Sequence, residues 1–238
     1  MKVMRQIIYK IMSMLPSSFR NKVSKEYLDM KLKKNMELTV EGIDNAKDVE
    51  GPIIFIGNHL SNTDGLVLSK VLSPYDPTFV AGVKLDGTTF TKLGLDIIKT
   101  TPIKANTADK DGIKKIIDIA KNNGNLVIFP EGTRSRNGKM IKAKRGLYLI
   151  AKMTKATIVP VATTGTEILM PINDESMGNE TFNPAKVTVT IGKPFKLRER
   201  RKDEGKKQYE EDVVDEAMIE IAKLLPKEYR GVYDITED

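Results

Sequence analysis

Apolar positions in the first 35 residues recur every three or four residues, whereas beyond them short apolar runs alternate with longer stretches of helical period. On a helical wheel Met1, Val3, Met4, Ile7, Ile8, Ile11, Met12, Met14 and Leu15 share one half, and Lys2, Arg5, Gln6, Tyr9, Lys10 and Ser13 share the other. This predicts an amphipathic helix that stops at Pro16. Ser17 or Ser18 can cap a second helix, with Phe19, Val23, Tyr27 and Met30 on one face among Lys22, Lys25, Lys31, Lys33 and Lys34. Further along, β-rich runs predict strands at 37–40, 53–56, 78–81, 126–129, 157–162 and 187–191. Helical period fits 64–72, 90–98, 109–121, 146–153 and 209–225. The alternation predicts an α/β fold: a mostly parallel or mixed sheet flanked by helices, with an N-terminal amphipathic two-helix appendage over 1–35 and one domain over 36–238. Segments 170–184 and 198–207 read as a surface loop and a solvated lead-in to the last helix, and Pro160 marks a strand edge or bulge.

Composition narrows the chemistry. A chain of 238 residues can bury one large α/β core. It has no cysteine, so it carries no disulfide framework, thiolate nucleophile or cysteine-based zinc site, which suits a reducing compartment. The net charge is +7, and residues 1–35 hold nine Lys or Arg against Glu26 and Asp29, so the remainder is balanced. The excess charge therefore belongs to the two basic helices, and it points to an anionic membrane surface rather than to nucleic acid. Neither helix can span a bilayer, which needs roughly 18 or more consecutive apolar residues. The competing reading docks their apolar faces on the protein's own core. No long apolar stretch marks a cleaved signal, although the acid-free run before Glu26 is a feature of organellar presequences.

The sole histidine, His59, lies in the run Asn58-His59-Leu60-Ser61-Asn62-Thr63-Asp64, after an apolar strand. Imidazole is the one side chain that ordinarily titrates near neutrality, which makes His59 the first candidate for proton transfer. A structural histidine capping a turn is the alternative. A second strand leads into Phe129-Pro130-Glu131-Gly132-Thr133-Arg134-Ser135, where Pro130 and Gly132 force a tight turn. Such a turn would display Glu131, Thr133, Arg134 and Ser135 at a strand end, where α/β sheets bind ligands. Taken alone it is also an ordinary turn with a surface arginine. Ser61 lacks both a second histidine and a Gly-x-Ser-x-Gly elbow, so it is not expected to be a nucleophile, and Asn58 is expected to hold the turn.

Together the two runs, about seventy residues apart, resemble the glycerolipid acyltransferases, and most closely the bacterial 1-acylglycerol-3-phosphate acyltransferase family. The resemblance extends through Pro102-Ile103-Lys104, Lys144-Arg145-Gly146, Ile158-Val159-Pro160-Val161 and the closing Leu225-Pro226-Lys227-Glu228-Tyr229-Arg230-Gly231-Val232-Tyr233, nearly the whole chain. It implies transfer of a fatty acyl group from a thioester to the 2-hydroxyl of 1-acylglycerol 3-phosphate, giving phosphatidate. His59 would be the general base and Asp64 would orient it. Glu131, Gly132, Thr133 and Arg134 would hold the acceptor, with the planar fork of Arg134 suited to phosphate. Lys104 stands where the family pattern usually has a second phosphate-binding arginine, a departure that replaces a fork by a point charge. Gly82-Val83-Lys84 is similar to the family's stretch before its acyl-channel helix, and Lys144 and Gly146 either shape a substrate groove or form a basic turn.

The resemblance further implies no metal and no tightly bound cofactor, lysophosphatidate as acceptor, acyl-CoA or acyl carrier protein as donor, and a peripheral position on the cytoplasmic face of the cell membrane. Backbone N–H groups near Gly132 or around His59 are the oxyanion-hole candidates. Three alternatives stay open: action on another lysophospholipid or glycerol 3-phosphate, a hydrolase in which water replaces the alcohol, and a non-catalytic lipid-binding module. The reading demands that His59 and Asp64 hydrogen-bond and that Arg134 face the same cleft.

Overall fold

The computed structural model describes residues 16–82, 97–104, 107, 109–172 and 181–235. The run Ile53–Gly57 is buried throughout, as expected of a strand covered on both faces, and it forms the middle of the sheet. Among the described residues there are seven strands: β1 (Met36–Glu41), β2 (Ile53–Gly57), β3 (Thr78–Gly82), β4 (Thr100–Ile103), β5 (Leu126–Ile128), β6 (Thr157–Thr164) and β7 (Ala185–Ile191). Their order is β1-β7-β6-β2-β5-β3-β4. Every neighbouring pair is parallel except β6 and β7, so the sheet is mixed, within the expectation.

Side chains alternate across the sheet and build two cores. Ile54, Ile56, Leu126, Ile128 and Ile158 meet the helices α3 (Lys110–Lys121), α4 (Gly146–Thr154) and α6 (Lys206–Ala222). Ile53, Phe55, Val127, Val159 and Val187 face the other way, toward α1 (Ser17–Asn35), α2 (Asp64–Val71) and the short α5 (Thr166–Leu169). The result is three layers, helix, sheet and helix.

Three expectations change. Strand β4 was not foreseen, because Thr-Thr-Pro-Ile is short and carries a proline; the structure places it at the sheet edge, where a missing N–H is tolerated. Helix α1 begins at Ser17 itself with Pro16 in the cap position, so neither serine caps it. Its face toward the core holds Ser24, Leu28 and Leu32, while Phe19 and Met30 of the expected apolar stripe are 54% and 55% exposed. The lead-in at 198–207 is tied down, since Arg198 binds Glu204 at 2.7 Å and Glu216 at 2.9 Å. The Arg198 bond holds the Glu204 carboxyl down at about 2.

Pro160 lies in a central strand, at a bulge on its β7 side. Val161 pairs with Ile191 but Ile158 pairs with Phe195, one extra residue on the second strand. The Pro160 carbonyl accepts from Gly192 N–H, so the absent proline N–H also faces the bulge and leaves the β2 ladder intact. Residues 1–15 of the first expected helix, residues 90–96 of the helix expected at 90–98, Val83 with Lys84, and 173–180 of the loop expected at 170–184 lie outside the described residues. No helix among the described residues is long and apolar enough to cross a membrane.

Candidate active site

Strands β2 and β5 are parallel neighbours in which Ile56 pairs with Ile128. His59 and Glu131 each follow three residues later, so the two motifs leave the carboxyl edge of the sheet side by side, the usual place for a ligand in an α/β fold. The loops are then joined. His59 N–H donates to Glu131 Oε1 at 3.1 Å, and Ser135 N–H donates to the His59 carbonyl at 2.7 Å. The imidazole stacks on Phe129, with ring centroids 4.2 Å apart. From the other side Asn58 clamps β6, its side chain donating to the Thr163 carbonyl at 2.8 Å and accepting from Thr163 N–H at 2.9 Å. The turn that carries His59 is therefore pinned by both flanking strands.

Asp64 is the first residue of α2 and is fully buried. Its Oδ2 accepts from His59 Nδ1 at 2.7 Å, from Leu60 N–H at 2.6 Å and from Ser61 N–H at 2.9 Å. The helix N-terminus favours its negative charge. A carboxylate can only accept, so Nδ1 carries the proton and Nε2 is left as the basic nitrogen. The His59 side chain is 21% exposed, buried enough to be held and open enough to meet a substrate. Ser61 is engaged elsewhere: its hydroxyl donates to the Met170 carbonyl at 2.7 Å and accepts from Thr63 N–H at 3.2 Å.

The second loop is only partly displayed. Gly132 and Thr133 are exposed and Arg134 is half-buried with its Nη1 inside, but Glu131 and Ser135 are 1% and 2% exposed. Glu131 Oε2 accepts from Ile141 N–H at 3.2 Å, so both of its oxygens are engaged by main chain. Burial pushes its carboxyl up to about 8, against the pull of these two N–H groups. Gly132 holds the turn with φ of 67°, a left-handed conformation suited to glycine.

Lys104 follows β4 and its N–H donates to Asp109 Oδ2. It shares the carboxyl edge of the sheet, three strands from β2 and two from β5, which leads into the 131–134 loop. The structure thus sets His59, Asp64, Glu131, Gly132, Thr133 and Arg134 on two adjacent loops, with Lys104 on the same sheet edge two strands from β5. Sequence reasoning missed the stacking of Phe129 and the inward role of Glu131. The signal for both was the shared three-residue offset from paired strands.

A histidine oriented by a buried carboxylate at the carboxyl edge of an α/β sheet is an arrangement able to take a proton from a hydroxyl or water. The chain belongs to the acyltransferase family, whose model matches residues 37–164, more than half of its length. Similar proteins include a chloroplastic 1-acyl-sn-glycerol-3-phosphate acyltransferase of Arabidopsis thaliana, 25% identical over 74% of this chain and 49% of that protein. The 1-acyl-sn-glycerol-3-phosphate acyltransferase of Saccharomyces cerevisiae is 30% identical over 74% of this chain and 57% of its own. The chain spans about half the length of the plant relatives it matches. The crystal structure of the 1-acyl-sn-glycerophosphate acyltransferase of Thermotoga maritima shares the fold, with a TM-score of 0.59, 21% identity, and coverage of 93% of this chain and 89% of that one.

Proposed function

We propose that this protein transfers a fatty acyl group from a thioester to the 2-hydroxyl of 1-acylglycerol 3-phosphate, releasing the free thiol and forming phosphatidate. One observation carries the reading: Asp64 holds the His59 Nδ1 proton at 2.7 Å, which leaves Nε2 as a base beside the loop 131–134. Nε2 takes the hydroxyl proton as the oxygen attacks the thioester carbonyl, a step worth typically a factor of about 10² to 10⁴. Asp64 offsets the charge of the imidazolium so formed. Collapse of the tetrahedral intermediate expels the thiolate, which recovers the proton from His59. Arg134 and the exposed turn Gly132-Thr133 receive the acceptor phosphate, while Glu131 serves them from within by fixing the His59 main chain. Lys104, two strands from β5 on the same edge, stands as a further substrate-binding cation. The names of the relatives support lysophosphatidate as acceptor.

The exposed Phe19 and Met30, set among the basic residues of α1, support the reading of 1–35 as a contact with an anionic leaflet, on the cytoplasmic face where acyl-CoA or acyl carrier protein is available. The test is a panel of acceptors given to the purified protein with a labelled acyl-CoA or acyl carrier protein. Lysophosphatidate should give the highest kcat/KM. Preference for a zwitterionic or neutral lysolipid, or release of free fatty acid without transfer, would overturn the reading.

A further inference from the structure

The acceptor loop is backed by a second cation. Lys144 N–H donates to the Pro130 carbonyl at 2.8 Å, which returns the chain to the root of the loop. Its side chain then runs over the turn: a Cβ placed on Gly132 would stand 3.0 Å from each of Lys144 Cδ, Cε and Nζ. The bare Cα of Gly132 is therefore what lets this lysine lie against the loop, with its ammonium two residues from Arg134. The closing segment of the chain holds it there. Ala143 N–H donates to the Tyr233 hydroxyl at 2.9 Å, and that hydroxyl donates to Asp215 Oδ1 at 3.1 Å. Met140 N–H donates to the Tyr229 carbonyl at 2.8 Å and Val232 N–H to the Met140 carbonyl at 3.2 Å. At Gly231 a Cβ would stand 2.1 Å from the Met140 carbonyl oxygen, so the contact is too close for any other residue.

We propose that Lys144 is a further phosphate-holding cation of the acceptor site, acting with Arg134 across the Gly132-Thr133 turn. The proposal rests on the reading of the acceptor as a phosphomonoester. Such a group carries about 1.5 to 2 negative charges near neutral pH, more than one guanidinium balances. The fork of Arg134 takes two oxygens and the point charge of Lys144 takes the third.

The test uses the purified full chain, 1-acylglycerol 3-phosphate and the matching neutral 1-acylglycerol. Lys144→Met keeps the aliphatic stem on Gly132 and removes the charge; Lys144→Arg keeps the charge. Lys144→Met should raise the KM for the phosphate-bearing acceptor about tenfold, the loss of one charged hydrogen bond at an exposed site. Its preference for that acceptor over the neutral one should fall by the same factor, and Lys144→Arg should recover most of it. An unmoved KM overturns the proposal, as does a rise confined to the thioester donor, or an equal loss with both acceptors. If the wild-type protein shows no preference for the phosphate-bearing acceptor, the functional reading itself fails; if it does and Lys144→Met leaves that preference in place, only the role of Lys144 fails.

Discussion

Replacing Asp64 by asparagine separates what this residue does for the turn from what it does for His59. An amide oxygen at the position of Oδ2 still accepts from Leu60 and Ser61, 2.6 Å and 2.9 Å away, so the loop keeps its anchor. The amide nitrogen then falls where Oδ1 lies buried with no hydrogen-bond partner. An orphaned buried donor costs about 1–3 kcal/mol. At about 2–4 °C per kcal/mol for a chain of this size, Tm should drop by several degrees without loss of the fold. The chemical loss is larger. A full charge 2.7 Å from the imidazole is worth on the order of 6 kcal/mol at an effective dielectric of 20. Because His59 is 21% exposed, roughly half of that survives screening by water, so kcat should fall about 10²- to 10³-fold. If the amide turns over instead, its N–H faces Nδ1, the ring proton moves to Nε2 and the base is lost, so both arrangements predict a low kcat. The assay is the steady-state acyl-transfer rate at saturating donor and acceptor, alongside a melting curve. A variant that melts near the wild type and keeps more than a tenth of its kcat would show that Asp64 only builds the turn.

Two further outcomes follow. The Glu131 carboxyl has an ordinary value of 4.5 and is pushed up to about 8 in the folded protein, so between these values the native state holds a proton that the unfolded chain has released. Stability should therefore fall as pH rises from about 4.5 through 8, by several kcal/mol in total, and level off above. Melting curves from pH 5 to 9 should show this slope in the wild type and not in Glu131→Gln; equal slopes would refute it. The double variant Phe19→Ser, Met30→Ser should bind phosphatidylglycerol vesicles about tenfold more weakly in a sedimentation assay, with an unaltered Tm, since both side chains are more than half exposed. Unchanged vesicle binding would remove α1 from the membrane contact.

What could be read from the sequence was whatever is local. Residues 53–57 and 126–128 are continuously apolar and bounded by turn residues, so strands β2 and β5 were visible, and the five-residue step from His59 to Asp64 is short enough for one turn to close. A wheel ranks hydrophobicity and does not show which face of α1 meets the core: Phe19, Val23 and Met30 form the greasier stripe, yet Leu28 and Leu32, with the small Ser24 a turn before them, are the buried positions. Glu131 is a second position where a local reading falls short. A glutamate between proline and glycine reads as displayed, and only the pairing of Ile56 with Ile128 turns its carboxyl toward the His59 N–H. The spacing of about seventy residues between the two motifs has no physical meaning of its own. It acquires one because two parallel strands begin both loops at the same level, and because the chain returns through 140–144 to close the site from outside. Lys144 reaches the Gly132 turn through that return, held by a segment some ninety residues further on, and that long-range contact is what separates a groove residue from a basic turn, the two readings the sequence leaves open.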